Sequence, residues 1–340
     1  MAEQSLDSFT EQHRLGLKLR PIMVGELHLA KSLDQPVFIF KGGVFMPVIA
    51  AGSAPSKESI HALIKNSIRE VFVYREDLKE IKKNLETALI KVTRSLSVGD
   101  PLENGTRDLK LISLNLNGLY QNPHDDELLM LQFQSSQNLS KFLIEQKKHL
   151  PAFYQNLLKE NFHFTLSQPM LSSLLLLSFL QATHLFHERE IENLFLASYL
   201  KDLGFAMIPD NKYDIKSLTP KDQDLFADHA DFSFDLLDGR LPLSKNYLTI
   251  IKHHHFLNDK IKVIVGKTVR SAPDDSDVIH GLESTLVAVF DIIVAMTSER
   301  PYRKGMPLFQ TLEVVRKLMA DDYPQEFKAI VIFLKNFFRN

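Results

Sequence analysis

The chain contains no cysteine. Disulfides and thiolate metal sites are therefore excluded, and any bound metal has to use His, Asp or Glu. It also lacks a charge excess of either sign: over 340 residues the net charge is -2. That balance argues against a bulk electrostatic partner such as duplex DNA or an anionic membrane, while leaving room for a small anion held by two or three arginines. Long hydrophobic runs are missing. The longest apolar segment, Met170 to Leu180, is interrupted by Ser172, Ser173 and Ser178. It is too short to cross a bilayer and reads as a buried helix. The opening residues, MAEQSLDSFTEQHRLG, carry acidic groups and no apolar core, so they do not read as a signal peptide. The expectation is a soluble cytoplasmic protein with no membrane span and no nucleic-acid polymer as partner.

What is present suffices for a core: 44% of residues are hydrophobic, and the length suits about two domains. Residues 1–19 are polar and read as a loose N-terminus. In QPVFIFKGGVFMPVIAAG, two runs rich in Val, Ile and Phe flank Gly42-Gly43, a hairpin signal. SKESIHALIKNSI then has helical spacing at Ile60, Leu63, Ile64 and Ile68, with Ser56 as N-cap. EVFVYRED reads as a third strand. Residues 20–76 are thus a small α+β domain of ββαβ order. Residues 77–150 read as a helical connector, broken at DPLENGTRD by Pro101 and Gly105. Residues 151–340 are almost wholly helical. The fold class expected is mainly α: a helical bundle domain preceded by a small α+β domain.

The unusual polar residues lie in the helical half. Lys201 and Asp202 stand together in YLKDLGFAMIPD, His229 lies in LFADHADFSFDLL, His253, His254 and His255 form a run in IIKHHHFLND, and Asp291 sits between Phe290 and Ile292. A carboxylate buried in an apolar helix needs a cation or several donors, because an unpaired buried charge is costly. Neighbouring histidines on one helix can reach one cation from one edge, and a His and carboxylate set without sulfur suits iron, manganese or zinc.

Taken together, KDLGFAMIPD, HADFSFDLL, HHHFLND and DIIVAMTSERPYRKGM resemble the consecutive motifs of the HD-GYP branch of the HD-domain metal phosphohydrolases. TSERPYRKGM after a helical Asp is the most specific of these, and SLTPKDQDLFADH fits the connector that precedes the family's second histidine. The resemblance spans roughly residues 160–340. Members are bacterial, bind two or three iron-like metals and hydrolyse cyclic di-GMP. The resemblance implies that Asp202 is the bridging carboxylate, His229 the ligand on the next helix, and Asp291 the last carboxylate ligand. The paired ligands are His254 and His255 if Asp259 is in register, or His253 and His254 one residue earlier. Arg300 and Arg303 match the residues that hold substrate phosphates, a role suited to guanidinium forks. They could instead cap the carbonyls of the helix that ends before Pro301.

The departures are specific. Lys201 replaces the His of the HD pair, and a protonated Lys has no lone pair for a metal. Phe205 replaces a phosphate-binding Lys, and the GYP segment is absent, with KIKVIVGKTVRSAPDDSDVIHG, read as a β-like run and polar loop, in its place. NFHFTLSQPMLSS has His163 but no Glu/His pair, so no first-helix ligand is assigned. One metal of the pattern keeps its ligands, Asp202, His229, His254 and His255; the other keeps only Asp291. The expectation is one iron, manganese or zinc ion, with the second site lost. Asp202 and Lys201 form the candidate catalytic pair, the Lys201 ammonium sitting where that metal would be, between Asp202 and Asp291. The alternative is a Lys201 that snorkels to solvent. Three functions remain: a degenerate HD-GYP-like module in cyclic di-GMP signalling that binds the nucleotide or a protein partner, an active metal phosphodiesterase with an unusual site, and a helical scaffold.

Overall fold

Gly42 and Gly43 set the first local structure. Both have positive φ, 61° and 84°, as a two-residue hairpin turn of the kind that matches strand twist requires. A computed structural model describes residues 2–66, 68–160, 162–209, 212–213, 215, 217, 219–266, 280–300 and 303–339. The chain divides into two compact units, Met1–Arg94 with Asn161–His163, and Ser95–Glu160 with Phe164–Asn340.

In the first unit the order is α1 (Ala2–Lys18), β1 (Leu19–Met23), β2 (Val37–Lys41), β3 (Val44–Ile49), α2 (Lys57–Lys65), β4 (Glu70–Tyr74) and α3 (Arg75–Arg94). The strands form one antiparallel sheet in the order β1-β4-β2-β3. The hairpin pairs Lys41 with Val44. Ser56 caps α2 as its sequence position indicates, its hydroxyl accepting from the Ser59 N–H at 3.1 Å. The core is aliphatic: Ile22, Val37, Ile60, Val71, Val73 and Ile81 pack together. Two expectations differ here. The N-terminal residues form a helix rather than a loose segment, and β1, whose short LRPIM stretch interrupts alternation with Pro21, pairs along β4 from Leu19↔Tyr74 to Met23↔Glu70.

The second unit is helical among its described residues: α4 (Pro101–Gln121), α5 (Asp126–Glu145), α6 (Leu150–Lys159), α7 (Phe164–Thr183), α8 (Glu188–Leu200), α9 (Pro220–Ala227), α10 (His229–Leu237), α11 (Lys245–Lys252), α12 (Asn258–Ile264), α13 (Leu282–Thr297), α14 (Leu308–Met319) and α15 (Pro324–Phe337). The mainly α class is therefore as expected. Pro101 and Gly105 do not break the helix after α3 but belong to the next one. Asp100 caps α4 by accepting from the Glu103 N–H at 2.9 Å, and Pro101 takes the first turn, where its missing N–H costs nothing. Gly105 is buried in α4 because a Cβ there would lie 2.5 Å from the Phe153 ring and 2.8 Å from Phe142. The stretch read as a β-like run forms α12 at its start, and residues 267–279 lie outside the described ones.

Helix α7 is central to this unit. By length and composition it is apolar enough to cross a bilayer, but its side chains are buried within the fold, against α4, α6, α8, α13 and α15. Pro169 inside it cannot donate to the carbonyl four residues back. That carbonyl, on Thr165, accepts instead from the Tyr120 hydroxyl of α4 at 2.9 Å. The proline is thereby tolerated, and the residue before it, Gln168, faces α13.

Candidate metal centre

The chain turns sharply where α8 ends. Lys201 and Asp202 follow its last residue, then a 3₁₀ turn over Leu203–Met207 passes under α10. Gly204 permits this passage. A Cβ at 204 would stand 2.0 Å from the His229 carbonyl oxygen and 2.6 Å from the Ser233 backbone nitrogen. The Gly204 N–H donates to the Ser233 hydroxyl at 2.7 Å, which in turn donates to the Lys201 carbonyl at 2.6 Å. These contacts fix Lys201 and Asp202 against His229. Gly204→Ala is expected to cost about 1–3 kcal/mol, as overpacking against atoms that cannot yield does. Thermal unfolding of the full chain, with Tm lowered by several degrees, checks it.

The Lys201 side chain is 0% exposed. Its ammonium contacts Asp202 Oδ2 and, at 2.7 Å, Asp291 Oδ1 from the middle of α13. The same Asp291 oxygen accepts from Gln168 Nε2 of α7 at 2.8 Å. Burial pulls the Lys201 pKa down, but the two carboxylates outweigh it and the net direction is up. For Asp202 burial pushes the pKa up, and the Lys201 ammonium beside it holds it well below the usual carboxylate range. Lys201 therefore does not snorkel. It lies inside the fold as a fixed cation between two carboxylates.

The other Asp202 oxygen faces histidines. Oδ1 lies 3.2 Å from His229 Nε2 and 3.4 Å from His254 Nε2. His229 Nε2 is in turn 3.3 Å from His254 Nε2 and 3.2 Å from His255 Nε2. The ligand atoms of the three histidines all lie within 4.8 Å of one another. Of the run of three, His254 and His255 stand beside His229, while His253 turns to the His280 ring, 5.7 Å away. The 253–255 run is not on a helix: α11 ends at Lys252, and a tight turn brings the rings of His254 and His255 to 3.9 Å.

The far side of two imidazoles is already used. His229 Nδ1 contacts the Phe226 carbonyl at 2.5 Å, and His254 Nδ1 the Ile251 carbonyl at 2.7 Å. A carbonyl only accepts, so Nδ1 carries the proton, and a neutral ring keeps its lone pair on Nε2. Those lone pairs point at one another and at a carboxylate oxygen. Burial lowers the pKa of His254 against the pull of Asp202, and burial with the neighbouring imidazoles lowers that of His255 strongly. Acceptors converging at 3.2–3.4 Å without a proton between them repel, and a cation relieves this. An imidazole whose second nitrogen donates to a carbonyl is also the usual arrangement of a metal ligand. The three histidines, with Asp202 Oδ1 beside two of them, therefore fit a metal ion that they would hold together.

The other residues singled out in the sequence have contacts of their own. Arg303 donates to the carbonyls of Met296 at 3.0 Å and Ala295 at 2.6 Å, capping the end of α13. The Arg300 guanidinium lies over the Phe164 ring, 4.0 Å from its centre. Asp259 lies on α12 and pairs with Lys262 at 2.7 Å. Phe205 stacks on His229 with ring centres 4.2 Å apart and planes 11° from parallel, so an apolar face occupies the position of the family's Lys. Gln168 was missed as a site residue. Its signal is an amide just before Pro169 in the otherwise apolar α7.

No protein-family model matches the chain, and no curated protein matches it either. Among solved structures it is similar to Bd1817, a HDG"Y"P protein from Bdellovibrio bacteriovorus, with a TM-score of 0.59 and 15% identity over 93% of this chain and 99% of that one. The chain has the fold of an HD-GYP protein, as the stretches around Asp202, His229, His254 and Asp291 lead one to expect.

Proposed function

We propose that the chain is a degenerate HD-GYP-like module of cyclic di-GMP signalling that holds a single divalent metal and binds the nucleotide or a protein partner, with weak or no hydrolysis. The observation that carries this reading is the Lys201 ammonium held between Asp202 and Asp291. A covalently attached cation stands where a second metal would need both carboxylates. Two-metal sites act by clamping the attacking and leaving oxygens of an in-line displacement. An ammonium supplies charge there, but it cannot take a lone pair from a water or a phosphate oxygen into a coordination shell.

A metal bound at His229, His254, His255 and Asp202 would supply Lewis acidity and a lowered water pKa. The chain's own groups set the limits around it. Lys201 neutralises the shared carboxylate. Phe205 covers one face of His229 with carbon, and the Arg303 fork is spent on helix carbonyls.

Elemental analysis of protein purified without a polyhistidine tag, paired with a turnover assay on cyclic di-GMP, tests the proposal. About one iron, manganese or zinc per chain with no turnover above background is expected. Two metals per chain with sustained turnover would replace this reading with that of an active phosphodiesterase. A metal-free protein would leave a metal-free binding or scaffold domain.

A further inference from the structure

A second feature lies at the far end of α7, roughly 20 Å of helix from Gln168 at the usual rise per residue. Here a cavity of about 680 Å³ opens between α6, α7 and α15. Its size falls within the range of small-molecule sites, about 300–1,000 Å³. Leu150 and Pro151 line it from the start of α6, and Ile332, Phe333 and Phe337 from α15. Ile332 is 62% exposed, so apolar surface is left open in a fold whose other long aliphatic side chains are mostly buried.

The charge around this cavity has one sign. Lys147 and Lys148 line it together with His184, and no carboxylate does. Both lysines are exposed, and among the described residues neither makes an ion pair. Apolar walls do not suit a bare anion, and two unpaired ammoniums do not suit a neutral hydrocarbon. An apolar chain ending in an anionic head satisfies both.

We propose that this cavity binds a single-chain carboxylate amphiphile of the fatty-acid class, its tail between α6 and α15 and its head at Lys147 and Lys148. The site stands apart from the metal centre and does not depend on the function proposed above.

Dodecanoate, below its micelle concentration, is the probe, titrated calorimetrically into the full chain. Saturable one-to-one binding is expected. It weakens about tenfold or more in the Lys147→Glu/Lys148→Glu variant, the loss of about 1.4 kcal/mol or more, and disappears in Ala329→Trp, which fills the cavity. Dodecyltrimethylammonium, with the same tail and the opposite head charge, binds more weakly than dodecanoate. The lysine changes are on exposed positions, so they remain informative if the tryptophan variant fails to fold. No saturable binding of dodecanoate, equal binding of the cationic amphiphile, or indifference to the lysine reversal would each overturn the proposal.

Discussion

Lys201→Met is expected to lower the stability of the metal-free chain by about 3–5 kcal/mol, the usual cost of removing one partner from a buried ion pair. The substitution keeps side-chain volume and removes the only charge that faces both Asp202 Oδ2 and Asp291 Oδ1 among the described residues. What remains is two carboxylates near one another inside the fold, with Gln168 donating to one of them. The pH dependence has a defined sign. The raised Lys201 pKa makes its contribution fully present below its unfolded value of about 10.4 and lost as pH rises through the folded value. The depressed Asp202 pKa makes its contribution present above about 3.9 and lost as pH falls through the folded value. The gap between wild type and variant is therefore widest between these limits and narrows in acid. Urea denaturation near pH 8 and below pH 3, with chelator present, measures it. A loss under about 1 kcal/mol at the higher pH would mean that the ammonium is not what neutralises the pair.

That pairing was legible in the sequence because an ammonium beside a carboxylate, where the pattern predicts burial, demands an explanation that ordinary helix chemistry does not supply. The hairpin at Gly42-Gly43 and the Ser56 cap were legible for a different reason, since each depends on residues within a few positions of one another. The failures share a cause as well. Gly105 looks like a helix breaker until the rings of Phe142 and Phe153 arrive from other helices to occupy the space its Cβ would need. Arg303 reads equally as a phosphate ligand or a helix cap until the chain turns back and sets it on the carbonyls of Ala295 and Met296. Gln168 gains meaning only from Asp291, more than a hundred residues away. Local signals survive in one dimension; contacts made by distant segments do not.

The histidine run carries the last expected result. His254→Ala or His229→Ala should weaken zinc or manganese binding by more than the roughly 10–100-fold that losing a mere outer-shell partner costs, whereas His253→Ala should leave it within about threefold. Three adjacent histidines would contribute alike if they acted as an exposed polyhistidine patch, so the contrast separates a built site from adventitious capture. The reason to expect the contrast is the pre-set tautomer. Phe226 and Ile251 hold the Nδ1 protons of His229 and His254, aiming both Nε2 lone pairs at Asp202 Oδ1, while His253 points toward His280 instead. Metal binding to the folded chain alone also stabilises it, by about 4 kcal/mol at a free concentration a thousand times Kd, so a Tm shift that His253→Ala retains and His254→Ala loses gives an independent reading. Equal losses in all three variants would mean that the turn after α11 does not select its ligands. The single ion would then have no claim to the position that Lys201, on the opposite side of Asp202, leaves open.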